Sequence, residues 1–173
     1  MPPRYAQDWP TDFPLLGESY KRKSDQTRQY SCIAFAIGDC RNWWWPVDDP
    51  NAHWPANLPF EVTVENFVDA FSQTGYAFCS GTHREKGFQK IAIYADWAGT
   101  PTHAARQHWN GQWCSKIGRN VDITHPSPGH LEGDLYGVIV VVMKRHWTMA
   151  RRFSMFLLRI RTASLITRCI GFR

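Results

Sequence analysis

Cys32 is the residue of this chain best placed to do chemistry. It stands in Tyr30-Ser31-Cys32-Ile33-Ala34-Phe35-Ala36, after the polar stretch KRKSDQTRQ and at the start of a short apolar segment that reads as a buried helix. A thiol at the positive end of a helix is biased toward thiolate, the form that attacks a carbonyl carbon. Such chemistry also needs an imidazole that takes and returns the proton, a group that orients it, and donors facing the developing oxyanion. His103, in the strand-like run TPTHAARQ, is the candidate base. Asp122 in NVDITH is the candidate orienting group, and Ser115 in CSKIG is a second. Gln29, or Gln26 one turn earlier, is a candidate side-chain oxyanion donor beside the backbone N–H of Cys32 itself.

Each of these residues has a plainer use. A cysteine among Ile, Ala and Phe is commonly a small buried hydrophobe. His103 reads equally as a satisfied strand histidine, Asp122 as a turn residue, and Gln26 and Gln29 as side chains facing water. Metal competes for the same atoms, because Cys79 and His83 have C-x-x-x-H spacing. Zinc sites, however, normally show two tight ligand pairs, so no metal and no cofactor is expected. Trp43, Trp44, Trp45 and Trp54 lie within twelve residues on a proline-bounded loop. Rigid aromatics of this kind either wall a ligand cleft or plug the open face of a small core. Three consecutive tryptophans cannot all point inward, so at least one is expected to line a groove or face water.

Composition narrows the function classes. The 173 residues suit one domain with a sizeable core, and 43% are hydrophobic. The formal charge of +5 is concentrated at one end. Residues 148–173 hold six arginines and no acidic residue, which leaves 14 basic against 15 acidic side chains in 1–147. The body of the protein is therefore not basic, and nucleic acid is not the expected partner. No uncharged apolar run approaches the roughly 20 residues that cross a bilayer. Five cysteines without framework spacing, after an N-terminus with no apolar leader core, predict reduced thiols and a cytoplasmic location.

The elements that must position the candidate residues follow from capping and periodicity. Residues 1–29 read as an irregular segment with prolines at 2, 3, 10 and 14, residues 30–147 as a single domain, and 148–173 as a basic apolar extension. The helix that begins at Cys32 is closed by Gly38. Thr63 caps a second helix with Val64, Phe67, Val68 and Phe71 on one face, ended by Gly75. Beyond it the period changes. Tyr76–Cys79, Phe88–Tyr94, Thr102–His108, Gln112–Ile117 and Tyr136–Met143 predict strands, with Asn110-Gly111 as a hairpin turn. The run GVIVVVM, apolar on both faces, is expected centrally in the sheet. Two helices followed by about five mostly antiparallel strands make an α+β domain.

The blocks Y-S-C-I-A-F-A, W-W-W-P, H-W-P, E-N-F-V-D-A-F, K-I-A-I-Y-A, P-T-H-A-A-R-Q, G-Q-W-C-S-K-I-G, D-I-T-H and L-E-G-D-L-Y-G occur in this order. Together they resemble an uncharacterised bacterial domain-of-unknown-function family over about Tyr30 to Arg145. More distantly, the order Cys-then-His resembles papain-like cysteine hydrolases, the group with peptidoglycan amidases and transglutaminase-like enzymes. That resemblance implies a papain-like layout, with Cys32 on an N-terminal helix packed against the sheet, Cys32 as nucleophile and His103 as base. It implies a thiol hydrolase or acyl transferase acting on an amide or thioester of a protein or peptide-like substrate. Ser31 stands where asparagine is expected before the cysteine, and Cys114 where a Thr-like residue is usual. The competing function is a non-catalytic interaction module, with the tryptophan loop and the THAARQ/SKIG hairpin as its binding surface.

Overall fold

The computed structural model describes residues 12–147. Helix α1 spans Cys32–Ile37, six residues between two strong punctuation marks. Ser31 is its N-cap, with Oγ accepting from the Ala34 N–H at 3.2 Å and donating to the Trp44 carbonyl at 2.8 Å. Gly38 closes it in the left-handed region at φ 97°, where its N–H reaches back to Ala34 and Phe35. Helix α2, Val64–Gln73, is capped by Thr63 as its pattern predicts, and buries Phe67, Val68, Ala70 and Phe71. The Asn110-Gly111 turn also forms where expected: Gly111, at φ 92°, donates to the His108 carbonyl.

The strands are β1 (Lys21–Arg22), β2 (Trp43–Trp44), β3 (Ala52–His53), β4 (Ala77–Phe78), β5 (Phe88–Ala95), β6 (Pro101–Gln107), β7 (Trp113–Lys116), β8 (Asp122–His125) and β9 (Val138–His146). Seven of them form one antiparallel sheet in the order β1-β8-β7-β6-β5-β9-β4, while β2 and β3 make a separate parallel pair. A one-turn 3-10 helix at Pro128–Leu131 precedes β9.

Successive side chains of a strand leave opposite faces, and the sheet uses this to support two cores. Ile91, Ile93, Ala104, Cys114 and Met143 face α1, α2 and the tryptophan loop. Ala92, Tyr94, Ala105, Trp113 and Ile123 face the other way, toward Phe13, Leu16, Leu131 and Tyr136.

This architecture corrects the expected fold class. The protein is β-rich, not an α+β domain of papain-like layout with an N-terminal helix on about five strands. Among the described residues the α-helices are six and ten residues long, against a seven-stranded sheet. The five expected strands all form, but β8 and β1 extend the sheet. Lys21 and Arg22 pair with Thr124 and Ile123 inside a segment that reads as irregular. Both additions are too short and too polar to show a hydrophobic period. The β9 run is also not central. It pairs along its length with β5, but on its other side only with the two residues of β4. The extension at 148–173 lies outside the described residues.

Candidate functional site

The Ser31 cap makes Cys32 the first residue of α1, and α1 packs on β6 and β7. Cys32 is 7% exposed. Burial pushes its thiol up, against four opposing influences: the backbone N–H groups of Ala104, Ile33 and Cys32 itself, and the Lys116 charge. Each of these favours sulfur in its anionic form. Cys32, Cys79 and Cys114 carry free thiols. Cys114 is the useful contrast, because burial in the core pushes it up to about 12 and its thiol donates to the Gln112 carbonyl at 3.8 Å.

His103 directly precedes Ala104 on β6. It is 0% exposed, and among the described residues neither ring nitrogen has a hydrogen-bond partner. Its ring lies flat against Tyr136, centroids 4.1 Å apart and planes 3° from parallel, and tilts against Tyr94 at 5.3 Å. Alternation along β6 turns the Ala104 side chain to the α1 side and the imidazole to the side of Tyr94 and Tyr136. Burial holds its pKa well below the ordinary imidazole value, helped by His125 and Lys116, so the ring is neutral.

The two candidate orienting groups meet other partners. Asp122 pairs in register with Lys116 on β7 and accepts a hydrogen bond from the Tyr30 hydroxyl at 2.7 Å. Burial raises its pKa to about 6, against the opposing pull of the Tyr30 hydroxyl, Lys116 and Arg106. Lys116 is lowered to about 8 by burial, and its Nζ donates to the carbonyls of Gly118 and Asn120. Ser115 lies 2.9 Å from His125 Nε2, and His125 Nδ1 lies 2.7 Å from the Ser127 carbonyl. A carbonyl only accepts, so Nδ1 carries the proton and Nε2 accepts from the Ser115 hydroxyl. Gln26 and Gln29 are exposed.

The tryptophan loop is mostly core. Trp44 and Trp54 are buried, with indole N–H groups on Asp39 Oδ2 (2.8 Å) and the Pro59 carbonyl (3.1 Å). Trp45 packs edge-on against Phe67, and half-buried Trp43 lies beneath the Arg119 guanidinium. Cys79 is half-buried and His83 exposed, and among the described residues no group of three or more His, Cys, Asp or Glu is arranged to hold a metal ion.

Lys116 and Tyr136 are the residues near Cys32 and His103 that reading the sequence passed over. Both stand inside blocks already singled out, SKIG and LYG, Lys116 on β7 and Tyr136 just before β9, and only the folded chain brings them to this place. A family model described as a domain of unknown function (DUF7689) matches residues 21–144. No curated protein and no solved structure matches the chain.

Proposed function

The chain belongs to the DUF7689 family, a domain of unknown function, and we propose that it is a cysteine-dependent hydrolase or acyl transferase acting on an amide or thioester. The observation that carries this reading is the His103 imidazole, buried with both ring nitrogens unbonded, one residue before the Ala104 N–H that lies near the Cys32 sulfur. Most buried polar atoms in folded proteins are paired, and an unpaired one is accounted for by strain, an ordered water, or a catalytic or binding role. A neutral imidazole with free nitrogens is the state a general base must be in before it takes a proton.

In the proposed reaction the thiol proton passes to His103 by way of a bridging water, since the imidazole and α1 lie on opposite sides of β6, and Cys32 Sγ bonds to the substrate carbonyl carbon. The carbonyl oxygen takes up the negative charge beside the Cys32 backbone N–H. The bond to the amine or thiol then breaks, the leaving group takes the proton from His103, and the acyl group remains on Cys32 as a thioester. Water or an acceptor amine releases it by the same steps in reverse order. Lys116 and the three N–H groups lower the cost of the thiolate that burial raises.

Iodoacetamide labelling at neutral pH, read residue by residue by mass spectrometry, tests the proposal. Cys32 is expected to label faster than half-buried Cys79 and buried Cys114, and His103→Phe to slow it by roughly tenfold or more. Labelling of Cys32 no faster than an ordinary thiol and unchanged in His103→Phe would leave a non-catalytic module of the same fold.

A further inference from the structure

We propose that Tyr136 is the positioning residue of the Cys32–His103 centre, fixing the imidazole plane by face-to-face stacking in the role for which a hydrogen-bonded carboxylate is ordinarily used. The inference rests on the reading of Cys32 and His103 given above. It begins from what the orienting candidates do: Asp122 is engaged with Tyr30, and Ser115 with His125. Among the described residues no hydrogen bond grips His103. Its ring is nonetheless held between two aromatic rings, and the stack on Tyr136 is parallel to within 3°.

Tyr136 is itself held from several sides. Its carbonyl accepts the Thr102 hydroxyl at 2.6 Å, tying it to the residue before His103. Its ring packs on Phe13 at 5.1 Å, and its own hydroxyl is within reach of the Gly118 backbone N–H and feels the Cys32 charge, which with burial raises its pKa. The following residue, Gly137, exchanges two backbone hydrogen bonds with Gly133, at 2.7 and 3.0 Å. At φ 73°, a side chain on Gly137 would collide with the Ala95 carbonyl, so the backbone there can press directly on β5. The segment is therefore built to place one ring against one imidazole.

The chemistry of such a device differs from that of a carboxylate. A carboxylate on one ring nitrogen selects a tautomer and raises basicity. A stacked phenol fixes the plane and leaves both nitrogens open for proton transfer. Among the described residues, the charged and titratable groups around the pair include His125, Lys116, Tyr94 and Tyr136 at His103, and Lys116 with Tyr136 at Cys32.

The test is the pH dependence of Cys32 labelling by iodoacetamide in the full chain, for wild type, His103→Phe, Tyr136→Leu, Tyr136→Phe and Thr102→Val. Wild type is expected to label at neutral pH, and His103→Phe only as the lone thiol ionises at higher pH. Tyr136→Leu is expected to follow His103→Phe, roughly tenfold slower than wild type near neutrality, and Tyr136→Phe, which keeps the stacked ring, to restore most of the wild-type profile. Thr102→Val preserves shape and loses only the grip on Tyr136, so its profile must move toward that of His103→Phe even where Tyr136→Leu does not fold. Thr102→Val or Tyr136→Leu coinciding with wild type, while His103→Phe differs, overturns the role of Tyr136 alone. Wild type and His103→Phe coinciding overturns the Cys32–His103 reading itself.

Discussion

The β7–β8 edge of the sheet and the neighbouring strand β6 each bury a histidine on the same face, and treat it in opposite ways. His125 has both nitrogens engaged, one by Ser115 and one by the Ser127 carbonyl, and Ser127 goes on to His130 through its own hydroxyl at 2.8 Å. His103 has neither engaged, and is held by flat rings instead. The first is a histidine whose bonds serve the fold. The second spends no hydrogen bond on the fold among the described residues. The thiols repeat the contrast: the Cys114 thiol is engaged by the Gln112 carbonyl, whereas three backbone N–H groups lie near Cys32.

The largest effect that would break this contrast belongs to Gly137→Ala. A methyl group there meets the Ala95 carbonyl at a backbone angle that favours glycine, so a loss of about 3 kcal/mol or more is expected in urea unfolding. Next come the histidines themselves. His125→Phe leaves the Ser115 hydroxyl and the Ser127 carbonyl unpaired, at a cost of about 2–3 kcal/mol. His103→Phe removes two orphan nitrogens and keeps an aromatic ring in the stack. Its stability is expected to equal or exceed wild type, by up to about 1 kcal/mol. Equal losses in the two variants would show that the fold uses both histidines alike.

Acid gives a further separation. His125 is lowered to about 4 from the ordinary 6.5, and burial holds His103 well below 6.5 in the same direction. Between these values the unfolded chain binds more protons, so stability is full above about pH 6.5 and falls as pH drops toward 4. Asp122, raised to about 6, works in the opposite sense over part of that window, since its native form takes up a proton first. With His108 lowered to about 3 as well, the imidazoles outweigh the one carboxylate. Urea midpoints at about pH 7 and about pH 4.5 are expected to differ, and the difference to shrink in both His125→Phe and His103→Phe. The smallest effect is that of Ser31→Ala, which removes the α1 cap and costs about 1 kcal/mol by the same measurement.

Much of the scaffold was legible in the sequence where a local chemical rule decides. The Thr63 cap, the Gly38 stop and the Asn110-Gly111 turn each depend on a few adjacent residues, and each forms where their types require. The polar edge of the sheet was not legible. Asp122-Ile123-Thr124-His125 has one large apolar residue, so nothing in its own pattern marks a strand. It becomes one because Lys116, Ser115, Cys114 and Trp113 pair with it. The same register separates Asp122 from His103. Sequence spacing proposes an acid for the histidine, but strand alternation sends Asp122 to Lys116 and Tyr30, while the imidazole stacks on Tyr136. The tryptophans, read as either cleft wall or plug, divide by position: Trp44 and Trp54 fill the core and Trp43 lies at its margin.

The central claim is that Cys32 is a nucleophile served by His103, and acyl transfer tests it most directly. With p-nitrophenyl acetate, Cys32 Sγ would take the acetyl group and p-nitrophenolate would leave. The account predicts a stoichiometric burst of p-nitrophenolate, one acetyl group found on Cys32, and the loss of both in Cys32→Ser and His103→Phe. An acetyl group found no more on Cys32 than on Cys114, or an undiminished burst in His103→Phe, would contradict it.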